Sequence, residues 1–125
     1  MKNKLKFIPV NVPKLYKQEK TNVIKCIKTN WISSEGKFVK DFEANFAKFN
    51  QRKYGIAVSS GTAALEIAVK SLNLKKNSEV IIPAFSIIST ALCVIKLGLK
   101  PILVDCDINT WNANPENILR KINNK

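Results

Sequence analysis

The sequence predicts an α/β fold in which a parallel-type sheet is flanked by helices, laid down incompletely by this chain. Three observations predict it. Short, nearly unbroken apolar runs at residues 54–58 ("YGIAV"), 79–83 ("EVIIP") and 101–106 ("PILVDC") are the first. Strands without polar alternation belong to sheets buried on both faces. Segments of helical periodicity between those runs are the second, since helices are how parallel strands are connected. The third is a turn rich in Ser, Gly and Thr, "SSGTA" at 59–63, where the first run gives way to a helical stretch. Ligands of open α/β sheets sit outside the carboxyl ends of the strands, where such turns lie.

Each element has its own local reason. Residues 1–15 contain Pro9 and Pro13 and read as an extended arm. Residues 16–29 carry Val23, Ile24 and Ile27 at helical spacing. "NWISSEGK" interrupts with Ser33, Ser34 and Gly36 as loop formers. "FVKDFEANFAKF" then sets Phe38, Phe42, Phe46 and Phe49 three or four residues apart, which reads as a buried helix face. After the first strand comes the helix "GTAALEIAVKSL", and "NLKKNS" turns the chain into the second. "SIISTALCVIKLG" is a helix closed by Gly98, and "NPENILRKI" opens one with Asn114 as N-cap and Pro115 at its first position.

The chain therefore divides into an arm with helices at 1–53 and the beginning of an α/β domain at 54–125. Three strands leave an open sheet edge. The ending "RKINNK" is read as a truncation, the front of a longer protein. A complete small three-layer domain is the alternative.

Composition narrows the function classes. With 46% hydrophobic and 24% charged residues the chain has globular character. No stretch approaches the roughly 20 apolar residues that span a bilayer. The N-terminus lacks the apolar core and cleavage site of a signal peptide, so no membrane association and a cytoplasmic address are expected. Cys26, Cys93 and Cys106 are odd in number and form no CxxC pair, which fits buried or half-buried thiols and no metal site. The absence of histidine removes His-based triads and imidazole acid–base chemistry. A net charge of +12 is scattered along the whole chain, as on a solvated lysine-rich surface. No nucleic-acid motif accompanies it, so no specific nucleic acid is expected. A non-enzymatic basic module that binds polyanions is kept as an alternative.

The 59–63 turn is the candidate binding loop. Gly61 allows close backbone approach, and the N–H groups of Thr62, Ala63 and Ala64 would point from a helix N-terminus that favours anions. The Ser60 and Thr62 hydroxyls add donors, and a phosphate is the fitting guest. Simple capping of the helix by Ser59, Ser60 or Thr62 is the alternative. Neither GxxxxGK[ST] nor GxGxxG is present.

Three blocks, "WISSEGKFVKDFEANFAKF", "YGIAVSSGTAALEIAVKSLNL" and "SEVIIPAFSIISTALCVIKLGLKPILVDCDINTWNANPENI", resemble in order and spacing the N-terminal part of the DegT/DnrJ/StrS family. These are pyridoxal-phosphate-dependent sugar aminotransferases. The resemblance runs from about Ile8 to the end and is closest to perosamine-synthase-like members, which make 4-amino sugars on nucleotide carriers. It implies the large domain of a type I pyridoxal-phosphate fold, with pyridoxal 5'-phosphate as cofactor. Gly61, Thr62 and Ala63 are implied to bind the cofactor phosphate, beside the Ser60 hydroxyl. The position implied to stack on the cofactor ring is Ile87, a departure from the family's aromatic residue; Phe85 lies two residues away and reads as core.

The resemblance also implies the reaction: an amino group passes from glutamate to a nucleotide-linked keto sugar, for polysaccharide or amino-sugar biosynthesis. A homodimer is implied for the full-length protein. The lysine and the acid that such catalysis requires are implied to lie downstream, so no catalytic residue is expected in this chain and no activity from it alone. A sugar dehydratase of the same family is the alternative chemistry. Asp105 and Asp107, in "VDCDINTWN", read as turn and cap residues. Trp31 and the "ISSEG" loop are read as packing, with a sugar-nucleotide or dimer contact as the alternative.

Overall fold

A computed structural model describes residues 7–123. The first six residues of the expected arm and the last two of "RKINNK" lie outside the described residues. The chain forms two compact units, Met1–Ala57 and Val58–Lys125.

In the first unit, residues 7–16 have no regular structure and lead into α1, Lys17–Lys28. The Glu19 carboxylate accepts the Tyr16 N–H at 2.9 Å, so an otherwise unpaired donor at the helix start is satisfied. Helix α2 spans Lys37–Phe49 and begins at Gly36, which is buried beneath Trp31. A Cβ on Gly36 would stand 3.1 Å from the indole Cδ1, so a larger residue would make the ring shift by a few tenths of an ångström. Val23, Cys26, Ile27, Phe38 and Val39 complete an apolar groove of about 300 Å³ with Trp31.

Two sequence expectations fail in this unit. The phenylalanine stripe is helical but not buried: Phe42 and Phe46 stack at 5.5 Å, yet both are more than half exposed, as is Phe49. Only Ala47 of α2 is buried. Two short helices hold too little apolar surface to cover four rings. The expected strand at 54–58 does not form either. Ala57 donates its N–H to Glu43 Oε1 at 2.8 Å, and Gly55 lies against the α2 backbone, where an added Cβ would come within 2.5 Å of the Glu43 carbonyl oxygen. A strand requires a partner ladder, and no described strand pairs with these residues.

The second unit is an α/β arrangement. Helix α3 (Gly61–Ser71) precedes β1 (Glu79–Pro83), α4 (Ser89–Lys96), β2 (Lys100–Val104) and α5 (Pro115–Lys121). Among the described residues the sheet has two strands, not the three expected. They run parallel in the register Glu79↔Lys100 through Pro83↔Val104, so β1–α4–β2 is a βαβ unit. Ile82, Cys93, Val94 and Leu99 form its buried centre, with Leu65, Val69 and Val80 packed against them. Lys96 Nζ meets both Glu66 carboxylate oxygens, at 2.8 and 2.9 Å, and joins α4 to α3 on the surface.

Caps behave as the sequence expects. Gly98 takes φ +72° after α4; its N–H reaches the Ile95 carbonyl, and the Leu99 N–H reaches that of Val94. That pair of bonds is a Schellman stop. Asn114 Oδ1 accepts the Glu116 N–H at 2.9 Å, with Pro115 at the first helical position of α5. Cys93 is buried, and Cys26 and Cys106 are half-buried, as expected of free thiols in packed surroundings. No helix among the described residues is long and apolar enough to cross a membrane.

Candidate functional site

The carboxyl edge of the β1–β2 sheet gathers the hydroxyl-bearing turns of the second unit. At α3 the extended Ser60 is the N-cap, and its Oγ accepts the Ala63 N–H at 3.2 Å. The Ala64 N–H goes to the Ser60 carbonyl at 3.0 Å. Two of the three donors expected to be open are thus used by Ser60. Among the described residues the Gly61 and Thr62 N–H groups have no partner. They are the donors that a helix start leaves for a ligand.

Thr62 extends the turn to a second helix. Its Oγ1 donates to Ser89 Oγ at 3.0 Å, tying the first turn of α3 to that of α4. Two hydroxyls that share one hydrogen bond keep one O–H free to donate. Next to this pair, Ser86 and Thr90 hydroxyls meet at 3.1 Å. Sequence reading missed Ser89, although the hydroxyl-rich "SIIST" that runs into the first turn of α4 was a usable signal. The donor set suits an oxyanion such as a phosphate. Space does too, because a Cβ built on Gly61 meets nothing within 4 Å. The glycine side of the turn is open to an incoming group.

Ile87 does not lie on a helix. Helix α4 starts at Ser89, three residues later than the sequence suggests, because residues 84–88 run as an irregular connection. Ile87 stands on that connection two residues before Ser89 and is 71% exposed. Phe85 on the same connection is not core: it is 63% exposed and makes a tilted contact with Trp111, ring centres 5.1 Å apart.

The two aspartates serve the loop after β2. Asp107 Oδ1 accepts the N–H groups of Asn109 (3.0 Å) and Thr110 (2.9 Å) and the Thr110 hydroxyl (3.1 Å). The Thr110 N–H foremost, then that of Asn109 and the Thr110 hydroxyl, hold its carboxyl below the ordinary aspartate range. Asp105 Oδ1 accepts the N–H of Cys106 at 2.8 Å. Both are turn residues.

Hydroxyl-lined helix starts at the carboxyl edge of a parallel sheet make this an α/β protein whose open donors are arranged as an anion site requires. The chain belongs to the DegT/DnrJ/EryC1/StrS aminotransferase family, whose model matches residues 13–125. It is 39% identical over 121 residues to GDP-perosamine synthase of Escherichia coli O157:H7, covering 97% of this chain and 33% of that one. It is 37% identical over 109 residues to the spore coat polysaccharide biosynthesis protein SpsC of Bacillus subtilis, covering 87% and 28%. Among solved structures, E. coli GDP-4-keto-6-deoxy-D-mannose-3-dehydratase with bound hydrated PLP aligns at a TM-score of 0.85 and 30% identity, over 93% of this chain and 31% of that one. The chain thus spans about a third of the length of the relatives it matches. The family and the type of fold expected from the sequence are borne out.

Proposed function

We propose that this chain supplies the phosphate cradle of a pyridoxal-phosphate enzyme that aminates a nucleotide-linked keto sugar. The observation that carries the reading is the start of α3. Gly61 and Thr62 present unpaired N–H groups there, and the Thr62–Ser89 pair keeps a hydroxyl donor, in a chain of an aminotransferase family.

Gly61 and Thr62 bind the cofactor's phosphate through their N–H groups, and the positive end of the α3 dipole favours its charge. Ser60 holds the turn in shape by capping Ala63, so Ala63 contributes through position. Ile87, exposed beside Ser89, covers a ring face by dispersion where an aromatic residue would stack. When bound, pyridoxal phosphate supplies the electron sink through which an amino nitrogen leaves one carbon and joins another. Glutamate gives up that nitrogen and leaves as 2-oxoglutarate; the keto sugar receives it and becomes a 4-amino sugar. The GDP-perosamine synthase relative favours a GDP-linked sugar, the 3-dehydratase match makes GDP-4-keto-6-deoxymannose the first substrate to try, and SpsC suggests polysaccharide synthesis as the destination. The reading places the intact protein in the cytoplasm as a homodimer.

Dehydration of the same sugar is the second reading, favoured by the structural match to the 3-dehydratase. Both reactions use the same phosphate cradle. The test takes the intact gene product with pyridoxal phosphate, glutamate and GDP-4-keto-6-deoxymannose, and mass spectrometry of the sugar nucleotide. A product bearing nitrogen supports amination, and a 3-deoxy product supports dehydration. Failure to take up pyridoxal phosphate sinks both.

A further inference from the structure

Trp111 adopts φ +60°, the left-handed region that bulky side chains avoid. The loop around it is pinned at several points. The Trp111 N–H donates to the Asp107 carbonyl at 2.8 Å, the Asp107 N–H to the Asn112 carbonyl at 2.9 Å, and Cys106 bridges Ala113. The Asp107 carboxylate gathers Asn109 and Thr110 inside the turn. An unfavourable backbone held by so many bonds directs its side chain to one place, and here that place is the ring of Phe85.

Phe85 belongs to the connection that carries Ile87 and delivers Ser89 to Thr62. The sheet's last bond to this connection is the Ala84 N–H to the Val104 carbonyl, at 2.8 Å. Its far end is tied to α4, where the Ile87 carbonyl accepts the Thr90 N–H and the Ile88 carbonyl those of Ala91 and Leu92; between these ends it is held by the Phe85–Trp111 contact and the Ser86–Thr90 hydroxyl pair.

We propose that Trp111 is a positioning residue, which braces Phe85 and so sets the β1–α4 connection that brings Ile87 and Ser89 to the cofactor phosphate site. The role in cofactor binding rests on the function proposed above; the bracing itself does not. Trp111 acts from the loop after β2, through Phe85.

The experiment compares the intact gene product with W111G, W111F, F85L and the double variant F85L/W111G. Glycine accepts the left-handed backbone without strain, so W111G removes the ring while keeping the loop's preferred path. Amide hydrogen exchange is measured without cofactor at Ala84, Thr90 and Ala91, whose N–H groups bond to Val104 and to the Ile87 and Ile88 carbonyls at the two ends of the connection. Pyridoxal-phosphate affinity and the visible circular dichroism of the bound cofactor are measured with it. We expect W111G to speed exchange on the connection at least tenfold, to weaken cofactor affinity about tenfold and to reduce the visible signal. W111F should restore all three to within about twofold. F85L should resemble W111G, and the double variant should be no worse than either single one, as for residues acting through one contact. Unchanged exchange in both W111G and F85L, or additive losses in the double variant, would overturn the bracing. Faster exchange with unchanged affinity and visible signal would overturn the link to the cofactor. Wild-type protein that takes up no pyridoxal phosphate, yet shows exchange sensitive to W111G, would remove the proposed function and leave the brace standing.

Discussion

The hydroxyls of Thr62 and Ser89 meet at 3.0 Å, joining the first turns of two helices from residues 27 positions apart in the chain. The bond is exposed, so its worth lies less in stability than in where it holds donors. Thr62→Val and Ser89→Ala should each cost no more than the roughly 0.5–1.5 kcal/mol of a net hydrogen bond. Pyridoxal-phosphate affinity should fall further, about 10- to 100-fold, since a hydroxyl donating to a charged group contributes more. Calorimetric melting beside a cofactor titration checks the difference. Equal affinity in wild type and both variants would remove these hydroxyls from the site.

Gly61 separates folding from binding more cleanly. Nothing approaches the position of its missing Cβ and its φ is not left-handed, so Gly61→Ala introduces no clash. Thermal stability should hold or rise by up to about 1 kcal/mol. Cofactor affinity should nonetheless drop about tenfold, because a methyl group now stands in the space beside the open N–H groups. A variant that melts like wild type and also binds like wild type would refute the placement of the phosphate.

Gly55 makes the opposite prediction. Its Cβ would fall 2.5 Å from the backbone oxygen of Glu43, and a helix backbone cannot give way as a side chain does. Gly55→Ala should destabilise the protein by about 1–3 kcal/mol, as overpacking does. Glu43→Ala, which strands the Ala57 N–H, should be milder. Urea denaturation of the intact protein reads both.

Asp107 gives the acid limit of the loop after β2. Its folded pKa is lowered by the N–H groups of Thr110 and Asn109 and by the Thr110 hydroxyl. Between that lowered value and the ordinary value of about 3.9, the unfolded chain binds more protons. Stability from this group is therefore present above the ordinary value and lost as pH falls through the folded one. Asp107→Asn should flatten that part of the profile, measured by hydrogen exchange at Asn109–Asn112 as the sample is acidified. An unchanged acid profile would show that the carboxylate does not hold the turn.

Features with local causes were legible beforehand. Asn114 and Pro115 announced a helix start because a cap acts within three residues, and Gly98 announced a stop for the same reason. "SSGTA" was legible as a helix start from residue types alone, and capping was one of its two readings, but which hydroxyl caps was not: Ser60 takes the Ala63 N–H. Periodicity foresaw the α2 helix but not its exposure, since a repeat says which residues share a face and not what covers it. At 54–58 the strand-like composition was correct as composition. The ladder a strand requires is a partner, and the Glu43 carboxylate took its place at Ala57.

The sequence by itself determined the helices and most of their caps, the α/β class and the family, because each is written in short-range spacing or in the order of motifs. Only the tertiary structure decided that Thr62 reaches Ser89, that Phe85 rests on Trp111 and that Gly55 must lack a side chain. Those relations join residues 12 to 27 positions apart, where folding and not spacing sets the distance.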